Sequence, residues 1–482
     1  MSQHFNTLII GAGFGGLGMA IRLRQKGETS LLVLEKSHAV GGCWRDNRYP
    51  GAACDVPSHL YSFSFEPNPD WSRRFAPQPE IEAYLRHCAE KYDLMRHIRF
   101  HCEVRSARFD EEKSLWEITI GENEQLTANI LITATGQLNR PMIPAIKGVE
   151  SFPGPAFHSA EWPDDLELKG KRVAVIGTGA SAIQFVPEVA KQAAQLTLFQ
   201  RSAAYVIPKA DKAYSRLTLA LLRRFPILQK LDRGRIWTTY ETRVLGFTSL
   251  QWAMHFYHFL FRHHLNRAVK DADLRRKLTP DYPLGCKRIL LSNDYFPALA
   301  QSNVTVECDG IDHITAEGIV TRDGTLHPAD VIIYGTGFRA TEFLSPIEIT
   351  GRNGLSLNQA WKEGAEAYLG ITVHGFPNLF MLYGPNTNLG HSSIIYMLES
   401  QIHYVLECLR TMQEKSLRSL EVRADIQASF NASLQTQIRN TVWEKGCTSW
   451  YKTESGKNTN NWPGFTFRYR ANTREVNLND YQ

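Results

Sequence analysis

The chain has 482 residues, too many for one ordinary core and enough for two or three domains. Hydrophobic residues make up 43% and charged residues 21%, a globular balance that excludes a disordered or fibrous chain. The net charge of +5 is uneven: residues 211–280 hold fourteen Lys/Arg and five Asp/Glu, a local +9 that leaves −4 elsewhere.

Eight cysteines, at 43, 54, 88, 102, 286, 308, 408 and 447, are scattered without a C-x-x-C pair. That pattern argues against a disulfide framework, a zinc site and dithiol redox chemistry. The opening residues carry no basic segment, apolar run and small-residue cleavage site, so a reduced, cytoplasmic setting is expected. No metal and no nucleic-acid partner is expected.

Residues 6–10 read as a strand, Leu17–Gln25 as a helix and Leu31–Leu34 as a second strand. Between strand and helix, Gly11-Ala12-Gly13-Phe14-Gly15-Gly16 fits G-x-G-x-x-G. Glycines there allow a tight turn, backbone approach to a pyrophosphate and close helix packing. Glu35 ends the next strand, where a carboxylate accepts hydrogen bonds from ribose hydroxyls and repels a 2′-phosphate. In the segment Gly41–Asp55, glycines permit approach to a flat ring that Trp44 can cover, and Pro50-Gly51 makes a turn. Asp55 places a carboxylate on a nearby loop.

Residues 79–96 look helical, residues 98–135 like short strands, and 141–155 like a proline-rich connector. Arg172–Ile176 opens a second βαβ unit, with Gly177-Thr178-Gly179-Ala180-Ser181-Ala182 fitting G-x-G-x-x-A and Gln184 following on its helix. The next strand, Leu196–Phe199, ends in Gln200-Arg201-Ser202 where an acid would otherwise stand. Arg201 and Ser202 suit a 2′-phosphate, with Lys287 as a second cation, so this site points to NADPH over NADH. Ala134-Thr135-Gly136 and Gly335-Thr336-Gly337 each end an apolar strand and read as crossings beside a bound dinucleotide. Within the basic segment, Val244–Phe261 is aromatic-rich and marginal in length for a membrane span. It reads as a buried or lid-like helix, with weak membrane-surface contact as the alternative. Strands are expected at Val304–Val306, Val331–Tyr334 and Phe380–Tyr383, before a long helix at Ile394–Met412.

The expected fold is therefore α/β, with two Rossmann-like dinucleotide-binding domains. A first domain is expected over 1–145 and 341–482, the latter including a substrate-side segment. A second is expected over 146–210 and 285–340, interrupted by a helical insertion at 211–284.

Between the two fingerprints, Phe152, Gly154, His158, Trp162 and Pro163 fit F-x-G-x-x-x-H-x-x-x-W-P. Residues 41–55 fit [A/G]-G-x-W-x-x-x-x-[F/Y]-P-[G/M]-x-x-x-D at every fixed position. With these motifs the chain resembles the Baeyer–Villiger monooxygenases, a branch of the class B flavin monooxygenases, over nearly its whole length. The resemblance implies bound FAD, NADPH as reductant and O₂ as co-substrate. It implies a C4a-peroxyflavin that attacks a ketone carbonyl, giving an ester or lactone. Gly11, Gly13, Phe14, Gly16, Glu35, Trp44, Asp55, Tyr61 and Val104 would contact FAD. Gly177, Thr178, Gly179, Ala180, Ser181, Gln184, Arg201, Ser202 and Lys287 would contact NADPH. Cys286-Lys287-Arg288 resembles the loop with the family's catalytic arginine, so Arg288 is the catalytic candidate and Asp55 its orienting partner. His158 and Trp162 would couple the domains. The ketone pocket is expected among Arg288, the insertion and the stretch from Cys447 to Pro463, whose aromatics suit an apolar ketone. A heteroatom-oxygenating flavoenzyme and a non-oxygenating NADPH–flavin reductase are the competing readings.

Overall fold

The computed structural model describes residues 3–446 and 448–482. Two sheets organise it. In the first, the strand Gln3–Ile10 lies parallel between Leu31–Leu34 and Glu124–Thr133. Val104–Asp110 and Leu115–Ile120 extend that sheet in antiparallel fashion, Glu348–Thr350 ends one edge and Ile98–Arg99 the other. Leu379–Met381 returns late in the chain to pair with Glu124–Thr133. Leu8, Ile9, Leu31 and Val33 are buried because helices cover both faces of the parallel part. One of these helices, Phe14–Gln25, packs on the long helix Ile394–Glu414.

The second sheet is wholly parallel, in the order Val304–Glu307, Gln195–Phe199, Arg172–Ile176, Val331–Tyr334, Ala156–His158. Each sheet has its own main apolar core. This is the two-dinucleotide-domain α/β architecture expected from the two fingerprints.

Three local expectations change. The helix expected over 79–96 is Gln78–Lys91, ended by Tyr92 and by Asp93 at a positive φ of 52°. Val244–Phe261 is not one helix. It breaks after Phe247, where the Thr248 hydroxyl donates to the Val244 carbonyl and its backbone leaves helical angles. A new helix, Met254–Ala268, follows a short 3₁₀ turn. Nor is the segment simply buried: Phe247, Met254 and Phe261 pack inward while Trp252, Phe256 and Phe259 are exposed. Among the thiols, six are free, but Cys286 is disulfide-bonded, against the expectation of a reduced set.

Earlier in the insertion, helices Arg216–Arg224 and Pro226–Glu241 form a hairpin. Among the described residues no helix is long and apolar enough to cross a membrane, and no metal-holding cluster occurs.

Candidate active site

The two glycine loops are built alike. Gly11 has φ +105°, and a Cβ on it would lie 2.6 Å from the Ala134 carbonyl oxygen. Gly177 has φ +110°, and its Cβ would lie 2.4 Å from the Gly335 carbonyl oxygen. In each sheet the fingerprint turn thus presses on the crossing loop at the end of a neighbouring strand. Any side chain would close the gap and strain the backbone.

Around the first loop the acid, the aromatics and the glycines gather. Glu35 is buried and accepts the N–H of Ala12 at 2.9 Å and of Ser37 at 3.0 Å. It also pairs with buried Arg45 at 3.2 Å, a partner that the sequence reading did not single out. A carboxylate has lone pairs left for ribose hydroxyls after these bonds. The Trp44 indole donates to the Tyr61 hydroxyl at 3.1 Å, and Phe14 stands edge-on to Tyr61 at 5.3 Å. Val104 starts a strand two residues beyond Cys102, whose N–H donates to the Glu35 carbonyl at 2.9 Å. A glycine cradle, a buried acid and an aromatic group at one strand end fit a flavin dinucleotide.

At the second loop the Thr178 hydroxyl donates to the Ser202 carbonyl at 2.9 Å, tying the turn to the next strand end. Lys287 donates to the Ser202 hydroxyl at 3.1 Å. Burial, and next the nearby Arg201 charge, hold the Lys287 ammonium below its usual pKa, with Asp281 pulling the other way. Two cations and a hydroxyl therefore converge where the sequence lacks an acid, which fits a 2′-phosphate. Gln184 lies elsewhere: its amide binds Ala53 N–H and C=O at 3.3 and 2.9 Å and the Tyr49 hydroxyl at 3.1 Å. It joins the helix Ala182–Ala190, which follows Ala180 and Ser181, to the Gly41–Asp55 segment.

Asp55 and Arg288, 233 residues apart, meet. Nε and Nη2 of Arg288 donate to Asp55 Oδ2 at 3.1 and 2.6 Å, with each side chain a little over a quarter exposed, 28% and 29%. Burial pushes the Asp55 carboxyl up, but the Arg288 guanidinium and then Lys209 more than offset it and hold the carboxyl below its usual range. Asp55 in turn raises the Arg288 pKa against burial, so the cation is permanent. Tyr383 and Tyr451 lie within the field of Arg288, and burial raises the Tyr451 phenol to about 12. Trp450 lies beside Tyr451 as the expected C-terminal aromatic stretch implied, while Cys447 falls outside the described residues.

A flavin-binding monooxygenase-like family model matches residues 6–348, more than half of the chain. The chain belongs to this family. On its Baeyer–Villiger side, the chain is 50% identical over its whole length to a Baeyer–Villiger monooxygenase of Pseudomonas aeruginosa, covering 92% of that protein. A Baeyer–Villiger monooxygenase of Streptomyces coelicolor is 47% identical, again over the whole chain and 93% of that protein. Among solved structures, a closed cyclohexanone monooxygenase superposes with TM-score 0.90 at 28% identity, covering 100% of this chain and 99% of that one. OTEMO in complex with FAD and NADP gives TM-score 0.90 at 29% identity, with complete coverage of both chains.

The monooxygenase linker motif packs on the second sheet. His158 is fully buried in the edge strand, where its Nδ1 accepts the Ala160 N–H at 3.2 Å. Burial lowers its pKa, with a contact to the Gly337 carbonyl opposing, so the ring is neutral at pH 7. Trp162 stands against Phe157 and Phe185 at 5.4 and 5.6 Å. Phe152 is buried in the same domain, and a Cβ on Gly154 would lie 2.3 Å from the Asp330 carbonyl oxygen. Besides Arg45, two residues escaped the sequence reading. Lys209 gave no signal because it is one basic residue among many. His391 is 4% exposed, and neither ring nitrogen has a hydrogen-bond partner among the described residues. Its neighbour Gly390 lies against Trp443 and Phe247, which places His391 between the insertion and the C-terminal segment.

Proposed function

We propose that this monooxygenase uses NADPH and O₂ to insert one oxygen next to the carbonyl of an apolar ketone, giving an ester or lactone. FAD would be held by Gly11, Gly13, Gly16, Glu35 and the Phe14–Trp44–Tyr61 group. NADPH would be held by the Gly177–Ser181 turn, with its 2′-phosphate on Arg201, Ser202 and Lys287. When bound and reduced, the flavin supplies the activation of dioxygen.

The observation that carries the reading is the Asp55–Arg288 pair. Because Asp55 uses only Oδ2 on Nε and Nη2, the Nη1 edge of the guanidinium stays free of that carboxylate. A fixed cation in a partly shielded site stabilises an oxyanion, and it stabilises the negative charge that builds on a ketone oxygen under attack. Asp55 keeps the guanidinium turned and balances its charge between turnovers. Phe247, Trp443 and Tyr451 share one apolar cluster on the expected ketone side, and a long-chain ketone is the substrate we propose. We place the enzyme in the cytoplasm and assign weak membrane-surface contact to its basic insertion.

The test is a ketone panel, including 2-decanone and cyclohexanone, under ¹⁸O₂ with product mass. One labelled oxygen per NADPH in the product is expected. Arg288→Ala should lower ketone turnover by about 10²–10³-fold while thioether oxidation persists. No ketone turnover at any chain length would overturn the proposal in favour of heteroatom oxidation or plain flavin reduction.

A further inference from the structure

The hairpin of Arg216–Arg224 and Pro226–Glu241 is fixed to the body of the protein along one side. Leu222, Ile236 and Tyr240 are buried, His59 pairs with Asp232 at 2.9 Å, and Arg233 donates to the carbonyls of His59 and Ser62 at 2.8 and 2.9 Å. The opposite side is apolar and open. Leu217, Leu221 and Phe225 recur every fourth residue and are 70%, 41% and 48% exposed. Across the turn, Ile227, Leu228 and Leu231 are 58%, 38% and 62% exposed. Both helices and the residue joining them thus show large side chains to solvent on a rigid support. Isolated exposed leucines need no explanation, but six large apolar side chains exposed between Leu217 and Leu231 do.

Positive charge predominates around this set, even with Arg233 turned inward. Residues 215–235 hold six Lys/Arg and one acid, Asp232, which is already paired with His59 and Arg235. Arg223 is partly balanced by Asp70 at 2.5 Å, whereas Arg216, Arg224 and Lys230 have no carboxylate within ion-pair distance among the described residues. We infer that this hairpin seats on an anionic lipid surface, its six apolar side chains in the acyl boundary and its basic side chains among the headgroups. Long basic side chains suit that boundary, since their stems lie along apolar matter while their heads stay wet. Each basic residue near an anionic surface adds attraction that decays within a Debye length. A second copy of the chain is a poor occupant, because pairing two such faces would oppose one excess of positive charge with another. The absence of any long apolar helix among the described residues makes this a surface contact and not a span.

The inference rests on the insertion's assignment to a membrane surface and not on the ketone reaction, so its test uses no ketone. FAD-loaded protein would be sedimented with vesicles of phosphatidylcholine and phosphatidylglycerol, and with phosphatidylcholine alone. Binding to the anionic vesicles, weakened by high salt, is expected. The triple variant Leu221→Ser, Phe225→Ser, Leu231→Ser should bind at least about tenfold more weakly, as should Arg224→Glu with Lys230→Glu. Unchanged FAD content and thermal midpoint would show that both variants are folded, since every substituted side chain faces solvent. Wild-type protein left in the supernatant, or a triple variant that sediments as wild type does, would overturn the inference. So would a solution dimer that the triple variant dissociates, because the face would then belong to a second copy.

Discussion

Asp55 touches Arg288 through one oxygen, at 2.6 and 3.1 Å, and that geometry separates holding the cation from quenching it. Replacing Asp55 with Ala should leave Arg288 charged but free to turn. Ketone turnover should then fall by about 10²-fold, with thioether oxidation less affected, as steady-state assays with both substrates would show. The folded Asp55 carboxyl titrates below its usual range, so its ionised form persists from there upward. Any acidic limb in the pH–rate profile above about pH 5 should therefore survive in Asp55→Asn, because it belongs to another group. His391 makes an independent prediction. Burial, and next the Arg243 charge, push its imidazole down to about 3. The unfolded chain binds this proton from about pH 6.5 downward while the folded protein refuses it. Stability should thus be unaffected above pH 6.5 and decline below it, by up to about 1.4 kcal/mol per pH unit. Chemical denaturation from pH 7.5 to 4.5 should give a shallower slope for His391→Asn; equal slopes would show that the ring is protonated in the folded state.

At the scale of elements, the two fingerprint loops are legible in sequence because each glycine answers a steric demand. Gly11→Ala and Gly177→Ala bring a Cβ within 2.6 and 2.4 Å of a crossing carbonyl at a positive φ. The two clashes lie in different sheets, which makes the variants separable. Gly11→Ala should be purified with little FAD, by absorbance at 450 nm. Gly177→Ala should keep its FAD and raise the KM for NADPH. Beside the second loop, Lys287→Ala removes one charge-assisted bond, worth about 1.5–3 kcal/mol, so NADPH should lose roughly 10–100-fold in kcat/KM while NADH changes little. Sequence spacing also marked Phe152, Gly154 and Trp162, though it could not show that Gly154 clears the Asp330 carbonyl. The insertion was far less legible. Its helix ends at Thr248, whose backbone leaves helical angles, a break that apolar content does not reveal. Charge counting found the basic segment, but only packing shows that its hairpin turns six apolar side chains outward.

For the whole molecule, the question is how two lobes, each built on its own sheet, keep their cofactor sites in register. Besides the Asp55–Arg288 pair, two sets of hydrogen bonds between them bear on this. At the double crossing, Met142 N–H donates to the Gly337 carbonyl at 2.9 Å, Thr336 donates to the Met142 carbonyl at 2.5 Å, and Arg339 N–H donates to the Arg140 carbonyl at 3.0 Å. At the other join, the Gln184 amide makes three hydrogen bonds to Tyr49 and Ala53, from the helix that follows the second fingerprint. Asp55 lies two residues beyond Ala53, and Arg288 next to Lys287. The cation proposed for the chemistry is thus tied to both lobes at once. His158 is fully buried in the second lobe, where burial holds its pKa below the usual value. Gln184 is the better point at which to loosen the register, because its amide is spent on the join. Each of its hydrogen bonds contributes about 1 kcal/mol net, so Gln184→Ala should favour misaligned arrangements by a few kcal/mol. In stopped-flow measurements the rate of flavin reduction at saturating NADPH should fall by about tenfold or more. FAD content and the KM for NADPH should stay near wild type, because neither glycine loop is touched. A lower thermal midpoint with unchanged reduction would reduce Gln184 to a packing contact and leave the register to the other joins, the crossing at 140–142 and 336–339 among them.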